Sequence, residues 1–314
     1  MTITTAYQGI SCLWEAGQPG QRFDIGGYCL HLMVMGTQSP TIVLDHSLGG
    51  VEGYLLAKQL SSLGKVCFYD RAGYGWSDSS PHPRTSQVLV NELEALLTQA
   101  QIPPPYILVG NSFGSYTVRL YAHTYPEKVQ GVVLTDGLHE AEMLRLSPSL
   151  TALKWIFFSG FLMSILGSGL GLIRVLKQLG AFLFLKPQLK RWSKAEQYPV
   201  TRSFCRPKHW LTMARELWNL NRSSQQLQRT HPLGSIPLVT LKADSFFHPK
   251  LWTRLIPLRQ ANQTRNLMQE RLSQLSHDSV QIEAPLSSHF IWVDQPELIA
   301  AAIQHIIHRE AKPL

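Results

Sequence analysis

A serine flanked by glycines is the first feature of the sequence that could do chemistry. Residues 110–114 read G-N-S-F-G and follow the apolar run 106–109, which is typical of a buried strand, and a helical pattern comes next. A turn that joins a strand to a helix this sharply strains the backbone and exposes its central side chain, here Ser112. The start of the helix also favours negative charge nearby. We therefore predict that Ser112 is a nucleophile.

A serine hydroxyl becomes a good nucleophile only when a base with a near-neutral pKa lies within hydrogen-bond reach. The chain has 12 histidines, and position rather than identity singles out one of them. His289 follows the strand-like run 280–283 and precedes a closing helix predicted over residues 296–308. We predict His289 as the general base.

Three further motifs resemble the α/β-hydrolase superfamily. Residues 69–78 (YDRAGYGWSD) look like its Y/F-D-x-x-G-x-G-x-S segment, residues 46–50 (HSLGG) resemble its H-G-x-G-G loop, and residues 295–297 (QPE) resemble its C-terminal signature. The likeness covers both ends of the chain and leaves out its middle. It implies a serine hydrolase of the esterase or proline iminopeptidase-like group, with a mostly parallel central sheet flanked by helices and an inserted helical cap.

The resemblance also implies roles for particular residues. The backbone N–H groups of Leu48 and Phe113 would form an oxyanion hole, and His46 and Asn111 would lie at the substrate pocket. Ser47 stands where the family normally has glycine, which puts the backbone of the Leu48 loop in doubt.

Two aspartates are candidates for the acid that orients His289, and both satisfy the chain order serine, acid, histidine. Asp136 follows the strand-like run 130–135, where some members of the fold carry their acid, and residues 135–139 resemble the V-D-x-x-H pattern of similar proteins. Asp244 follows the run 236–241, where most members carry it, but its surroundings match the usual G-x-x-D turn poorly. The sequence leans towards Asp136 and leaves the choice open.

The order of strand-like and helical segments predicts the domain organisation. Alternating segments indicate parallel βαβ units over residues 1–142 and again over 233–314, the predicted hydrolase core. Residues 143–232 contain no strand-like run and are predicted to form a helical cap, or lid, inserted into that core. This segment carries 14 Lys and Arg against two acids, Glu196 and Glu216, although the whole chain is only +8. Such asymmetry favours an anionic partner, and without a nucleic-acid-binding motif we predict peripheral contact with a membrane surface.

Residues 155–173 form a run of 19 uncharged residues. Its length permits a transmembrane helix, but it contains four glycines and lies between core strands. We favour apolar cap helices that line an acyl pocket, ahead of an interfacial helix pair and of a true span. An apolar lid in turn favours a substrate with a long apolar acyl or prenyl-type group.

The four cysteines show no C-x-x-C spacing, so we expect reduced thiols, a cytoplasmic location, and neither a metal site nor a cofactor. Residues 1–10 have no features of a signal peptide. The predicted activity is hydrolysis of a carboxylic ester. Cleavage of an amide or a C–C bond, acyl transfer, and a non-catalytic ligand receptor that retains the fold are the alternatives.

Overall fold

The computed structural model describes Cys12, Glu15, residues 17–246 and residues 257–310, so the N-terminal segment 1–10 lies outside the described residues. Its strands are β1 (Gln21–Asp24), β2 (Cys29–Met35), β3 (Thr41–Asp45), β4 (Lys65–Asp70), β5 (Tyr106–Asn111), β6 (Val129–Thr135), β7 (Leu238–Ser245) and β8 (Ser279–Ser288).

All eight strands belong to one sheet, in the order β1-β2-β4-β3-β5-β6-β7-β8. The pairs β1–β2 and β2–β4 are antiparallel, and every pair from β4 to β8 is parallel. Strands β3 and β4 are buried on both faces, which explains why they are continuous apolar runs in the sequence. The predicted α/β-hydrolase fold with a mostly parallel sheet is confirmed.

Helices cover both faces of this sheet. They are α1 (Gly53–Leu60), α2 (Ser86–Gln99), α3 (Gly114–Thr124), α4 (Glu140–Leu144), α5 (Pro148–Gly169), α6 (Leu172–Gln178), α7 (Ala181–Leu185), α8 (Lys194–Phe204), α9 (Pro207–Trp218), α10 (Leu220–Leu227), α11 (Leu258–Ser273), α12 (Ile291–Asp294) and α13 (Pro296–Glu310). Successive side chains of a strand point to opposite faces, so Ile42 and Leu44 of β3 pack on the side of α1 and α13, while Val43 packs on the side of α2 and α3.

Helices α4 to α10 are inserted between β6 and β7, where the sequence has no strand-like run. The division of the chain into a core and a separate cap stays a prediction. Among the described residues, one helix, Pro148–Gly169, is long and apolar enough to cross a membrane by length and composition alone.

Most side chains of α5 are exposed, whereas the sequence predicted that they line a pocket. Only Leu150 and Ser168 of this helix are buried, and large side chains such as Met163 and Leu166 are exposed. Because α5 is apolar around its whole circumference, packing one side against α9 leaves the rest uncovered. The expectation that this segment lines an acyl pocket is therefore wrong for most of α5.

The prediction for the cysteines also differs from the structure. Cys12 and Cys29 form a disulfide with their Cα atoms 5.9 Å apart, whereas Cys67 and Cys205 are free and buried. The expectation of four reduced thiols is wrong, because the pairing depends on the distance in space between Cys12 and Cys29, which their spacing in sequence does not reveal. A cytoplasmic location loses this support and stays a prediction.

Candidate active site

Ser112 lies on a sharp turn between β5 and α3, at the carboxyl end of the central strand. Its φ is +51°, in the left-handed region that costs a non-glycine residue free energy and persists only when surrounding contacts hold it. The neighbouring glycines allow those contacts. A Cβ on Gly114 would collide with the carbonyl oxygens of Asp45 and His46, and one on Gly110 would lie 2.5 Å from Val118 Cγ2.

Three predicted residues form one hydrogen-bonded chain. His289 Nε2 lies 2.8 Å from Ser112 Oγ, and His289 Nδ1 lies 2.5 Å from Asp136 Oδ2. An ionised carboxylate only accepts hydrogen bonds, so Nδ1 carries the proton of the neutral imidazole. Nε2 is then left to accept a hydrogen bond from the serine hydroxyl, which is the arrangement that general-base activation requires.

Asp136 is held for this contact by its backbone and by a buried cation. It follows β6 with φ +43°, and Asp136 Oδ1 accepts hydrogen bonds from Arg265 Nη1 at 3.0 Å and from the Ala243 backbone N–H at 3.3 Å. Burial alone would raise the pKa of this carboxyl. The hydrogen bond from His289, together with the Arg265 guanidinium, outweighs burial and lowers the pKa.

The other candidate acid lies elsewhere. Asp244 is exposed near the end of β7, and its backbone carbonyl accepts a hydrogen bond from Arg265 Nη2 at 2.8 Å. The structure therefore brings Asp136, and not Asp244, to His289.

His289 directly follows β8, and its ring is fixed from two sides. It stacks on Phe246 with 4.8 Å between ring centroids and meets Phe290 edge-on at 5.8 Å. The preceding Ser288 donates its backbone N–H to Asp294 Oδ2 at 2.9 Å, which holds the end of the strand against α12. The imidazole has little freedom to rotate away from Ser112.

The loop after β3 carries the second predicted oxyanion donor. Among the hydrogen bonds of the described residues, none uses the backbone N–H of Leu48 or of Phe113. Arg71 donates to the carbonyl oxygens of His46 at 2.5 Å and Ser47 at 2.9 Å. A trans peptide points its N–H opposite to its C=O, so binding the Ser47 carbonyl also fixes the direction of the Leu48 N–H. Ser47 does not have positive φ, so the departure from glycine leaves no backbone strain there.

Arg71 is itself buried between two carboxylates. Its Nη1 donates to Asp45 Oδ1 at 2.5 Å, and its Nε donates to Glu216 Oε1 of α9 at 3.0 Å. Burial disfavours the charged guanidinium, but Glu216 and Asp45 outweigh that cost and raise its pKa well above the usual value. Through Glu216, a helix of the inserted segment thus braces the loop that holds Leu48.

Sequence reasoning missed Arg71, Glu216 and Arg265. Arg71 lies inside the recognised motif of residues 69–78, and Glu216 is one of only two acids in the basic segment 143–232, which was a usable signal for a buried partner. For Arg265, on the surface-like sequence of α11, we find no such signal.

His46 and Asn111 are not brought to an open pocket. His46 is fully buried against Phe68 and Tyr74, and Asn111 Oδ1 accepts a hydrogen bond from Thr135 Oγ1 at 3.0 Å. Both side chains make their contacts within the protein, so their role at a substrate pocket stays a prediction.

The site as a whole is enclosed by apolar side chains. Ser112 is 6% exposed and His289 is 8% exposed, so little water reaches the reacting atoms in this conformation. Besides the two phenylalanines on His289, Met213 of α9 covers the Leu48 loop, because a Cβ on Gly49 would lie 2.5 Å from its Sδ. Electrostatic interactions are stronger in such surroundings than in water.

Known proteins share this architecture. A family model of the alpha/beta hydrolase fold matches residues 40–229. An uncharacterized vacuolar membrane protein of Saccharomyces cerevisiae is 34% identical over 116 residues, which are 34% of this chain and 18% of that protein, so the chain matches less than a fifth of its length. Cfl2 of Burkholderia cenocepacia has a TM-score of 0.68 at 19% identity, covering 91% of this chain and 94% of that one.

An enol-lactonase of Burkholderia xenovorans has a TM-score of 0.63 at 16% identity, covering 92% of this chain and all of that one. At such identities the two structures show the fold alone. The family model matches more than half of the sequence and agrees with the sheet order. The chain therefore belongs to the α/β-hydrolase family.

Proposed function

We propose that the protein is a serine hydrolase that cleaves a carboxylic ester through an acyl-enzyme intermediate, with Ser112, His289 and Asp136 as its catalytic triad. The observation that carries the proposal is the continuous chain from Ser112 Oγ through both nitrogens of His289 to the Asp136 carboxylate. The strained φ at Ser112 and at Asp136 supports it, since such strain is common where function requires it.

The reaction begins when Ser112 Oγ attacks the ester carbonyl while His289 Nε2 takes the hydroxyl proton. Asp136 stabilises the imidazolium that forms. The carbonyl oxygen becomes an oxyanion, which the N–H groups of Phe113 and Leu48 stabilise, and removing one such donor typically costs about 3–4 kcal/mol of transition-state stabilisation. His289 then gives its proton to the departing alcohol. A water molecule, activated by the same histidine, releases the acid and restores Ser112.

The apolar surroundings of the site support an ester with an apolar acyl or prenyl-type part. Phe246 and Phe290 contact His289, and Met213 lies over the Leu48 loop. Because α5 presents most of its side chains to the outside, this support comes from the residues at the site and not from the long apolar helix.

A chain-length series of p-nitrophenyl esters, from acetate to palmitate, tests the activity and the substrate class together. We expect kcat/KM to rise with acyl length and to vanish for every ester in Ser112→Ala. Turnover that survives Ser112→Ala would overturn the mechanism. Absence of turnover on every ester by the folded wild-type protein would overturn the ester proposal in favour of amide cleavage, C–C cleavage or acyl transfer.

A further inference from the structure

One stretch of the surface holds most of the exposed large apolar side chains of the described residues. Twelve of the 18 lie on or between α5, α6 and α7: Trp155, Ile156, Phe157, Leu162, Met163, Leu166, Leu170, Leu172, Val175, Leu176, Leu179 and Phe184. We call this set the α5–α7 surface. Soluble proteins rarely expose contiguous apolar patches larger than a few hundred Å², and larger ones mark sites of interaction with a protein or a membrane.

The packing of α5 decides how this surface can meet a membrane. Trp155 and Phe158 contact Trp218 at the C-terminal end of α9, with ring centroids 6.0 and 5.7 Å apart, while a Cβ on Gly169 would lie 4.0 Å from Pro207 at the N-terminal end. Helix α5 therefore runs antiparallel along the whole of α9. Since α9 is joined to the interior through Glu216 and Arg71, α5 could cross a bilayer only by giving up its packing against α9. It lies flat on the body of the protein.

The segment that carries the α5–α7 surface has charge of a single sign. Residues 143–195 contain eight Lys and Arg and no Asp or Glu. Five of the cations are exposed: Arg145, Arg174, Lys190, Arg191 and Lys194. Lys and Arg side chains near an anionic membrane surface are attracted to it. An apolar face bordered by cations is the pattern of elements that lie in the membrane interface.

The same charge distribution argues against a second copy as the partner. In a two-fold symmetric dimer the same patch of each subunit meets its counterpart, so the cations beside one surface would approach those beside the other. No acidic residue of segment 143–195 is present to compensate them.

We propose that the α5–α7 surface docks the protein on a membrane rich in anionic phospholipids, with its helices parallel to the membrane plane and its apolar side chains among the acyl chains. The proposal goes beyond ester hydrolysis and does not depend on it. It also brings the active site close to the membrane, because Lys186, directly after α7, lies 3.5 Å from the centre of the ring of Phe290, the neighbour of His289.

Co-sedimentation of the full chain with vesicles tests the proposal without reference to activity. The vesicles contain phosphatidylcholine alone or with about one third phosphatidylserine, and the experiment is repeated near 1 M salt, where the Debye length is about 3 Å. We expect binding to the phosphatidylserine vesicles, weakened at high salt. Binding should fall at least tenfold in Leu170→Asp/Leu179→Asp, whose side chains are 79% and 77% exposed and support no interior contact.

Two further variants separate the apolar and electrostatic contributions. Leu267→Asp, on α11 and 52% exposed, makes the same chemical change outside the α5–α7 surface and should bind like the wild type. Lys190→Glu/Lys194→Glu should lose the preference for phosphatidylserine. The proposal is overturned if neither vesicle is bound, if the double aspartate variant binds as well as Leu267→Asp, or if light scattering shows a dimer that this variant converts to a monomer.

Discussion

Replacing Asp136 by asparagine changes the charge of the acid and almost nothing of its shape. The carboxylate has two tasks, because Oδ2 faces His289 Nδ1 at 2.5 Å while Oδ1 accepts from Arg265 Nη1 at 3.0 Å. An asparagine that keeps its oxygen towards the Arg265 guanidinium must turn its NH₂ group towards His289. Nδ1 then has to accept a hydrogen bond, so the proton of the neutral ring moves to Nε2, which can no longer take the proton of Ser112.

The size of the effect follows from that change of tautomer. An aspartate-to-asparagine change that holds the histidine in the wrong tautomer lowers kcat about 10⁴-fold in a serine protease, equivalent to about 5.5 kcal/mol in the activation free energy. Arg265 also loses its buried anion, so we expect the free energy of unfolding to fall by about 1–3 kcal/mol. Asp244→Asn is the matched control. Its carboxylate is exposed, and the expected change in stability is within about 0.5 kcal/mol.

The assay compares kcat for one p-nitrophenyl ester in the wild type, Asp136→Asn and Asp244→Asn, after circular dichroism has shown that all three are folded at the assay temperature. We expect the first variant to be nearly inactive and the second to be close to the wild type. The reverse order, or equal losses in both, would refute the assignment of the acid to β6.

Three other perturbations test separate parts of the structure. Glu216→Gln should lower kcat about 10- to 100-fold and change KM little, because Arg71 loses one of the two carboxylates that hold it against the Leu48 loop. Burial lowers the pKa of His209 to about 3, so below pH 6.5 the unfolded chain binds a proton that the folded chain does not. The stability from this group is therefore complete above pH 6.5 and lost as the pH falls towards 3. In urea titrations, the drop in the free energy of unfolding between pH 7 and 5 should be about 2 kcal/mol smaller in His209→Gln than in the wild type. Gly114→Ala should cost about 1–3 kcal/mol in the same measurement, because its Cβ collides with two carbonyl oxygens.

Each of these three substitutions has a control substitution elsewhere in the chain. Glu196→Gln changes the other acid of the basic segment, at the exposed start of α8, and an equal loss of kcat there would remove the special role of Glu216. For His209, the matched substitution at an exposed site is His82→Gln. For Gly114, the control is Gly160→Ala in α5, where nothing lies within 4 Å of the new Cβ, and a cost as large as that of Gly114→Ala would refute the steric argument.

The parallel strands were the most predictable part of the fold. The bounds of β3 and β4 agree with their apolar runs, because a strand buried on both faces has no polar positions to interrupt it. The antiparallel strands β1 and β2 were not recognised, and β2 carries Cys29 of the unexpected disulfide. The outward orientation of α5 could not be predicted either, since a helix that is apolar all round does not indicate which side it buries.

At the site, the sequence named both partners of the contact between Ser112 and His289, because each has a defined position beside a strand. It could not separate Asp136 from Asp244, which lie at the ends of neighbouring strands. The difference lies in local backbone geometry, since the positive φ of Asp136 and its ion pair with Arg265 arise only when β6, β7 and α11 have come together. The bracing of the Leu48 loop likewise depends on Arg71 and Glu216, which are 145 residues apart in sequence.

The central claim is that Ser112 is an activated nucleophile, and labelling by a fluorophosphonate tests it most directly. We expect the folded wild-type protein to gain the mass of one phosphonyl group, mapped by peptide sequencing to Ser112, with no adduct in Ser112→Ala and much slower labelling in Asp136→Asn. A wild-type protein that does not label, or an adduct that persists in Ser112→Ala, would contradict the account.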